Sequence, residues 1–189
     1  FTKWLIYILN CSNNCQMKFL ITGSNGLLGQ KILKKLIEDA SVELIATSKG
    51  ENRVSNIEGY IYRSLDITDY KEVSKILNEE SPDVVINTAA MTNVDLCEDE
   101  NKACEALNVH AVSYLADACL SCDAHLIHIS TDFIFDGEDG PYKEDDKPNP
   151  LSYYGLSKLK SEEILYDHNV RWTILRTIIV FGVGENLSK

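Results

Sequence analysis

From Met17 onward, short apolar runs alternate with longer stretches in which apolar residues return every three or four positions. The short runs have the length of buried strands, and the longer ones have the period of helices with one apolar face. Residues 18–22 therefore predict a strand. Residues 26–39 predict a helix, because Leu28, Ile32, Leu33, Leu36 and Ile37 fall on one side of it. Strands are expected over 42–47 and 60–64. Thr68 is the expected cap of a helix running to 79, with Val73, Ile76 and Leu77 turned inward. A strand over 83–87 is entered through Pro82. A long helix is predicted over 98–121 and a strand over 124–130. A polar loop over 131–150 carries Pro141, Pro148 and Pro150. The pattern ends with a helix over 152–169 and a strand over 171–177.

Strands that alternate with helices predict an α/β fold, with a parallel sheet covered on both faces and right-handed crossovers. The expected architecture is a doubly wound parallel sheet of order 3-2-1-4-5-6. Its ligand crevice should lie where the first and fourth strands end. A chain of 189 residues, 44% apolar and 25% charged, suits one well-sized domain with a continuous core. The net charge of −11 excludes a nucleic-acid backbone as partner, since no basic face could displace its counterions. It leaves room for a single nucleotide, which needs only a local site.

The six cysteines are scattered, so free thiols in a reducing cytoplasm are expected rather than a disulfide framework. The run Cys119-x-x-Cys122-x-x-His125-x-x-His128 has the spacing of a metal site. Its members divide between a helix end and a strand, however, and would not converge tetrahedrally, so no metal site is expected. The apolar stretch 1–10 is too short to span a bilayer, and neither a basic region nor a small-residue cleavage site flanks it. No membrane association is expected. Residues 1–16 are expected to be upstream or non-native extension, with Met17 the natural start of a dinucleotide-binding domain over 17–189.

The first strand leads into Gly23-Ser24-Asn25-Gly26-Leu27-Leu28-Gly29. Gly23 permits a tight turn, Gly26 lets a pyrophosphate approach the backbone, and Gly29 lets the helix pack close to the sheet. The helix start then offers free amides and a positive dipole end to phosphates. Between a strand and a helix, this spacing is the fingerprint of a Rossmann dinucleotide site. An acidic residue at the end of the second strand would hold the ribose of NAD. This chain has Ser48 and Lys49 there, with Arg53 beyond, and a hydroxyl with cations suits the 2′-phosphate of NADP(H). Glu51 lies close by and pulls the other way.

Tyr154 and Lys158 stand at i and i+4, on one helix face. A nearby ammonium is expected to lower the phenol's pKa and so ready it to give a proton to a carbonyl oxygen. The preceding strand ends in Ser130-Thr131-Asp132, which puts hydroxyls at the ligand-binding edge. Tyr153 is the decoy, since its i+4 residue is Ser157.

Five segments together resemble the extended short-chain dehydrogenases, and more closely the dTDP-4-dehydrorhamnose reductase family. They are MKFLITGSNGLLG (17–29), LDITD (65–69), PDVVINTAAMTNVDLCE (82–98), LIHISTDFIFDG (126–137) and NPLSYYGLSK (149–158). The resemblance implies a catalytic trio. Thr131 would orient a sugar ketone, Tyr154 would be the acid, and Lys158 would tune Tyr154 and hold the nicotinamide ribose. It implies Asp66 and Ile67 beside the adenine, and Ala89, Ala90 and Thr92 on the path to the nicotinamide ribose. Asn108 would help to organise the site. The implied reaction is NADPH-dependent reduction of the 4-keto group of dTDP-4-dehydrorhamnose, in carbohydrate biosynthesis, with NAD(H) as the other admissible cofactor. A magnesium ion and a homodimer are implied by resemblance alone. Two departures stand out. Met91 replaces the family's usual aromatic after the double alanine. The chain also stops about a hundred residues short of family members, before their smaller substrate domain. Two other readings stay open: a non-catalytic regulatory subunit like the methionine adenosyltransferase beta subunit, and a sugar-nucleotide epimerase or dehydratase.

Overall fold

A computed structural model describes residues 16–54 and 57–187. The expected extension before Met17 lies almost wholly outside the described residues. Among the described residues, six parallel strands form one sheet in the order β3-β2-β1-β4-β5-β6, as the pattern predicts. They are β1 (Met17–Thr22), β2 (Val42–Ser48), β3 (Ile61–Ser64), β4 (Val84–Asn87), β5 (His125–Thr131) and β6 (Arg171–Thr177).

Alternating side chains on the strands feed two separate cores. Leu20, Ile45, Val85 and Leu126 point to one face. They pack there against α2 (Tyr70–Glu80) and α5 (Ala111–Ser121) through Val73, Leu77, Val112 and Leu115. Ile21, Leu44, Ala46, Val84 and Ile86 point to the other face, against Leu33 of α1 (Leu27–Leu36). Strands buried on both faces read as continuous apolar runs, which is why β4 is VVIN with all four residues buried.

Two helical details differ from the sequence reading. Asp69, not Thr68, caps α2, its carboxylate accepting from the amides of Lys71 and Glu72. Thr68 instead donates to Asp66 at 2.7 Å. A carboxylate accepts two amides at once at the positive helix end, so Asp69 is the better cap. The expected helix over 98–121 starts earlier and is broken. It comprises α3 (Val94–Asp99), capped by Asn93, then α4 (Asn101–Glu105), a π-turn (Ala106–His110) and α5. Glu100, with φ −118° and ψ 53°, separates α3 from α4. The last helix, α6 (Tyr153–Asp167), is capped by Ser152 through the amide of Gly155. Its buried face is largely polar: Tyr154, Ser157, Lys158, Ser161 and Glu162. No helix among the described residues is long and apolar enough to cross a membrane.

Candidate active site

Strand β1 ends in a tight turn at Gly23, whose φ of +67° and contact with Ala89 N, 2.8 Å from where a Cβ would sit, admit only glycine. A Cβ on Gly29 would collide with the carbonyl of Gly23. The two absent side chains let α1 close onto the turn. No side chain caps α1 at Gly26, so its first amides remain available for an anion. The cradle thus fits a dinucleotide pyrophosphate.

Two clefts open from this turn at the carboxyl edge of the sheet. The first, about 250 Å³, is lined by Gly23, Asn25, Gly26, Ser48, Lys49, Asp66, Ile67, Ala89 and Ala90. Lys49 is paired with Asp66 at 2.6 Å. Burial raises the Asp66 pKa, but bonds from Lys49 and Thr68 outweigh it, and the carboxyl sits below its ordinary value. Asn25 ties the following loop to the cradle. Its side chain donates to the Glu51 carbonyl at 2.9 Å and accepts from the Arg53 amide at 2.9 Å. Arg53 therefore lines the same cleft.

The second cleft, about 510 Å³, shares Gly26 and Ala90 with the first and continues past Leu27, Leu28, Gly29 and Thr92. At its far end stand Thr131, Tyr154 and Lys158. Thr131 closes β5 and accepts from the Phe133 amide at 3.2 Å, which fixes its hydroxyl at the cleft wall. Tyr154 is buried, its ring edge-on to Phe133 at 5.9 Å. Tyr153 points elsewhere, under the Lys160 ammonium at 5.9 Å.

Lys158 is 2% exposed, and its Nζ donates to the Ile129 carbonyl at 2.8 Å. Burial pushes its pKa down to about 7, against the opposing pull of Glu162 and Cys104. Tyr154 does not show the expected lowering. Burial raises its pKa, and the hydrogen bond with Thr131 opposes this only in part. The reason is geometric, since the lysine amine is directed at the β5 backbone and His128.

Two expected cofactor residues line neither cleft. Ser24 is 1% exposed, and its hydroxyl has no partner. Asn108 sits behind the wall. Its side chain accepts from the Met91 amide at 2.8 Å and donates to the Met91 carbonyl at 3.0 Å and to Ser157 at 3.0 Å. These bonds tie the Met91 backbone to α6, and Asn108 lines neither cleft. Met91 and Tyr154 pack together with the buried Cys97 and Cys104. Thr88 and Phe133 also line the clefts; both lie in segments that carry the resemblance, but neither was singled out there. Among the described residues, no group of three or more His, Cys, Asp or Glu could hold a metal ion, so the magnesium expectation finds no support. Of the metal-like run, His125 bonds Thr173 while His128 bonds Asn87 and Ser161.

A doubly wound sheet with a glycine cradle, and a buried tyrosine and lysine beside a strand-end hydroxyl, define a Rossmann-like fold of the extended short-chain dehydrogenase type. Residues 17–189 match the RmlD substrate binding domain family. The chain belongs to that family, that of the dTDP-4-dehydrorhamnose reductases. It is 37% identical over 174 residues to a dTDP-4-dehydrorhamnose reductase of Aggregatibacter actinomycetemcomitans, covering 91% of this chain and 55% of that protein. It is 33% identical over 172 residues to the methionine adenosyltransferase 2 subunit beta of Bos taurus, covering 91% and 49%. Among solved structures, a hypothetical dTDP-4-dehydrorhamnose reductase from Sulfolobus tokodaii matches with a TM-score of 0.77 at 40% identity, covering 89% of this chain and 58% of that one. A dTDP-4-dehydrorhamnose reductase from Bacillus anthracis, in complex with NADP, matches with a TM-score of 0.73 at 27% identity, covering 90% and 56%. The chain spans about half the length of the curated relatives it matches.

Proposed function

We propose that this chain is the cofactor-binding and proton-donating part of an NADPH-dependent reductase of a nucleotide-linked 4-keto sugar, with dTDP-4-dehydrorhamnose as substrate. The observation that carries the reading is the continuity of the site. One cleft runs from the glycine cradle to Thr131, Tyr154 and Lys158, so a dinucleotide lying on the cradle ends beside the acid. A reduced nicotinamide, when bound there, supplies hydride to the carbonyl carbon. Thr131 would hold the carbonyl oxygen, and the Tyr154 hydroxyl would give it a proton. The raised pKa of Tyr154 keeps the phenol protonated at neutral pH, which is the form an acid needs. Lys158 would hold the ribose.

Lys49 and Arg53, the two cations at the first cleft, favour a 2′-phosphate, and hence NADPH over NADH. The relative solved with NADP supports the same choice. Buried free thiols at Cys97, Cys104 and Cys119 suit the reducing cytoplasm. The homodimer remains part of the proposal, to be read by sedimentation.

The test is NADPH absorbance with the full-length protein and the dTDP-4-keto sugar. Oxidation that depends on the sugar is expected, and none at all would sink the reading. Tyr154→Phe should lower kcat by about 10²–10⁴-fold, the usual contribution of a positioned acid. The likeness to a methionine adenosyltransferase beta subunit supports a second reading, a regulatory subunit. Its signature would be NADPH binding without turnover, together with altered activity of a partner synthetase.

A further inference from the structure

The stretch that follows β6 forms part of the wall of the long cleft. Ile178, Ile179 and Val180 line it together with the glycine cradle. Ile178 and Ile179 are 74% and 75% exposed, so packing alone holds this stretch weakly. Its position is set from its two ends. At the near end, Thr177 pairs with Thr131 in the sheet and donates to the Ser130 carbonyl at 3.2 Å. At the far end, the side chain of Gln30 holds the backbone of Glu185.

Gln30 sits in the first turn of α1 and is 5% exposed. Its side-chain nitrogen donates to the Glu185 carbonyl at 2.7 Å, and its side-chain oxygen accepts from the Glu185 amide at 2.7 Å. The two bonds reproduce what a neighbouring strand exchanges with one residue. The same nitrogen also donates to the Asn25 carbonyl, in the cradle turn, at 3.0 Å. Both of its hydrogens are thereby engaged, and all three partners are main-chain groups. A backbone N–H only donates and a carbonyl only accepts, so the orientation of the Gln30 amide is fixed. Glu matches the size of Gln but brings no donor when ionised, and Asn is one methylene shorter.

The hold extends to the loop that carries Arg53. The Asn25 side chain bonds the Glu51 carbonyl and the Arg53 amide, and Asn186 donates to the Arg53 carbonyl at 3.1 Å. A ring of hydrogen bonds therefore joins the cradle turn, the loop with Arg53 and the segment after β6, stretches far apart along the chain. Gln30 itself lines neither cleft, so it acts on a ligand only through what it positions.

We propose that Gln30 is a positioning residue for the cofactor: it sets the segment after β6 against the glycine cradle, so that a dinucleotide is gripped between the two. This inference rests on the cofactor reading above and not on the sugar reduction. Without the clasp the wall loosens and the cofactor leaves sooner, while Thr131, Tyr154 and Lys158 keep their places. The loss therefore falls on cofactor affinity and spares the chemical step.

The test combines hydrogen exchange at the Glu185 amide with a fluorescence titration by NADPH, both on the full-length protein. In the wild type this amide should exchange at least about tenfold more slowly than in an open loop. Exchange at the open-loop rate would overturn the proposal without any variant. Gln30→Glu keeps the size and removes both donors. It should speed the exchange and weaken NADPH binding by about tenfold or more, the scale of one buried carbonyl left unpaired. The kcat at saturating NADPH and sugar should stay within about twofold of the wild type. Gln30→Met keeps the length without a charge, should show the same split, and stands in where Gln30→Glu does not fold. Folded variants with unchanged NADPH affinity would make Gln30 a structural residue only, and a fall in kcat at unchanged affinity would equally overturn the proposal. A wild type that binds NADPH but never oxidises it with the sugar removes only the reductase reading, and the titration still decides this inference.

Discussion

Lys158 is an unusual residue for its place, a lysine almost without solvent contact in a polar pocket of one helix and one strand. A buried amine with a pKa of about 7 is a stability statement as well as a catalytic one. Between that value and the ordinary lysine value, the unfolded chain binds a proton that the folded chain has released. Stability therefore rises with pH through this window, by at most about 1.4 kcal/mol per pH unit for one proton. Lys158→Met should remove this slope. Urea midpoints measured between pH 7 and 10 check it, and an unchanged slope would show that Lys158 stays charged in the fold. Tyr154 carries the opposite lesson. The i, i+4 spacing correctly brought the phenol and the amine to one helix face, but spacing does not report direction. The amine turns to the Ile129 carbonyl, and burial sets the phenol's pKa.

Among the elements, α2 shows how local signals compete. Thr68 and Asp69 are both good capping residues, and the sequence reading favoured the first. In the fold, Asp66 takes the Thr68 hydroxyl, and Asp69 takes two amides of the first turn. Asp69→Ala should cost about 1 kcal/mol by chemical denaturation, and Thr68→Ala clearly less. The reverse order would restore Thr68 as the cap. The segment before α5 reads as one helix with it, because helical spacing over 98–121 does not reveal a break or an extra residue. The π-turn matters to the site. It sets Asn108 facing Met91 and Ser157 at once, and single-turn π insertions cluster at functional sites.

At the scale of the molecule, one buried pair binds the last strand to the rest. Glu162, with no exposure, takes Arg176 of β6 at 2.8 Å and the Ser130 hydroxyl of β5. Arg176 also donates to the Glu144 carbonyl at 2.8 Å, pinning the loop beside the cleft. Arg176→Met would leave a buried carboxylate uncompensated, at a cost of about 3–5 kcal/mol. Adding Glu162→Gln should recover much of that loss, and thermal unfolding of the single and double variants measures both. No recovery would show that Arg176 acts through packing rather than charge.

The order of elements, the parallel sheet and the glycine cradle could be read from the sequence, because each rests on local period or on glycines with a steric reason. Thr131, Tyr154 and Lys158 were legible for a related reason, since strand ends and helix faces place residues predictably. The buried, hydrogen-bonded row of Thr22, Asn87 and His128 was not legible. Its members lie in three separate apolar runs, and they meet only because the strands pair in one particular register. Packing also buries Ser24 and Asn108 away from both clefts, which no local pattern reports. The sequence by itself determined which residues could do chemistry and which elements carry them. The tertiary structure decided where the lysine points and what faces it, because hydrogen-bond direction and burial depend on neighbours far away along the chain.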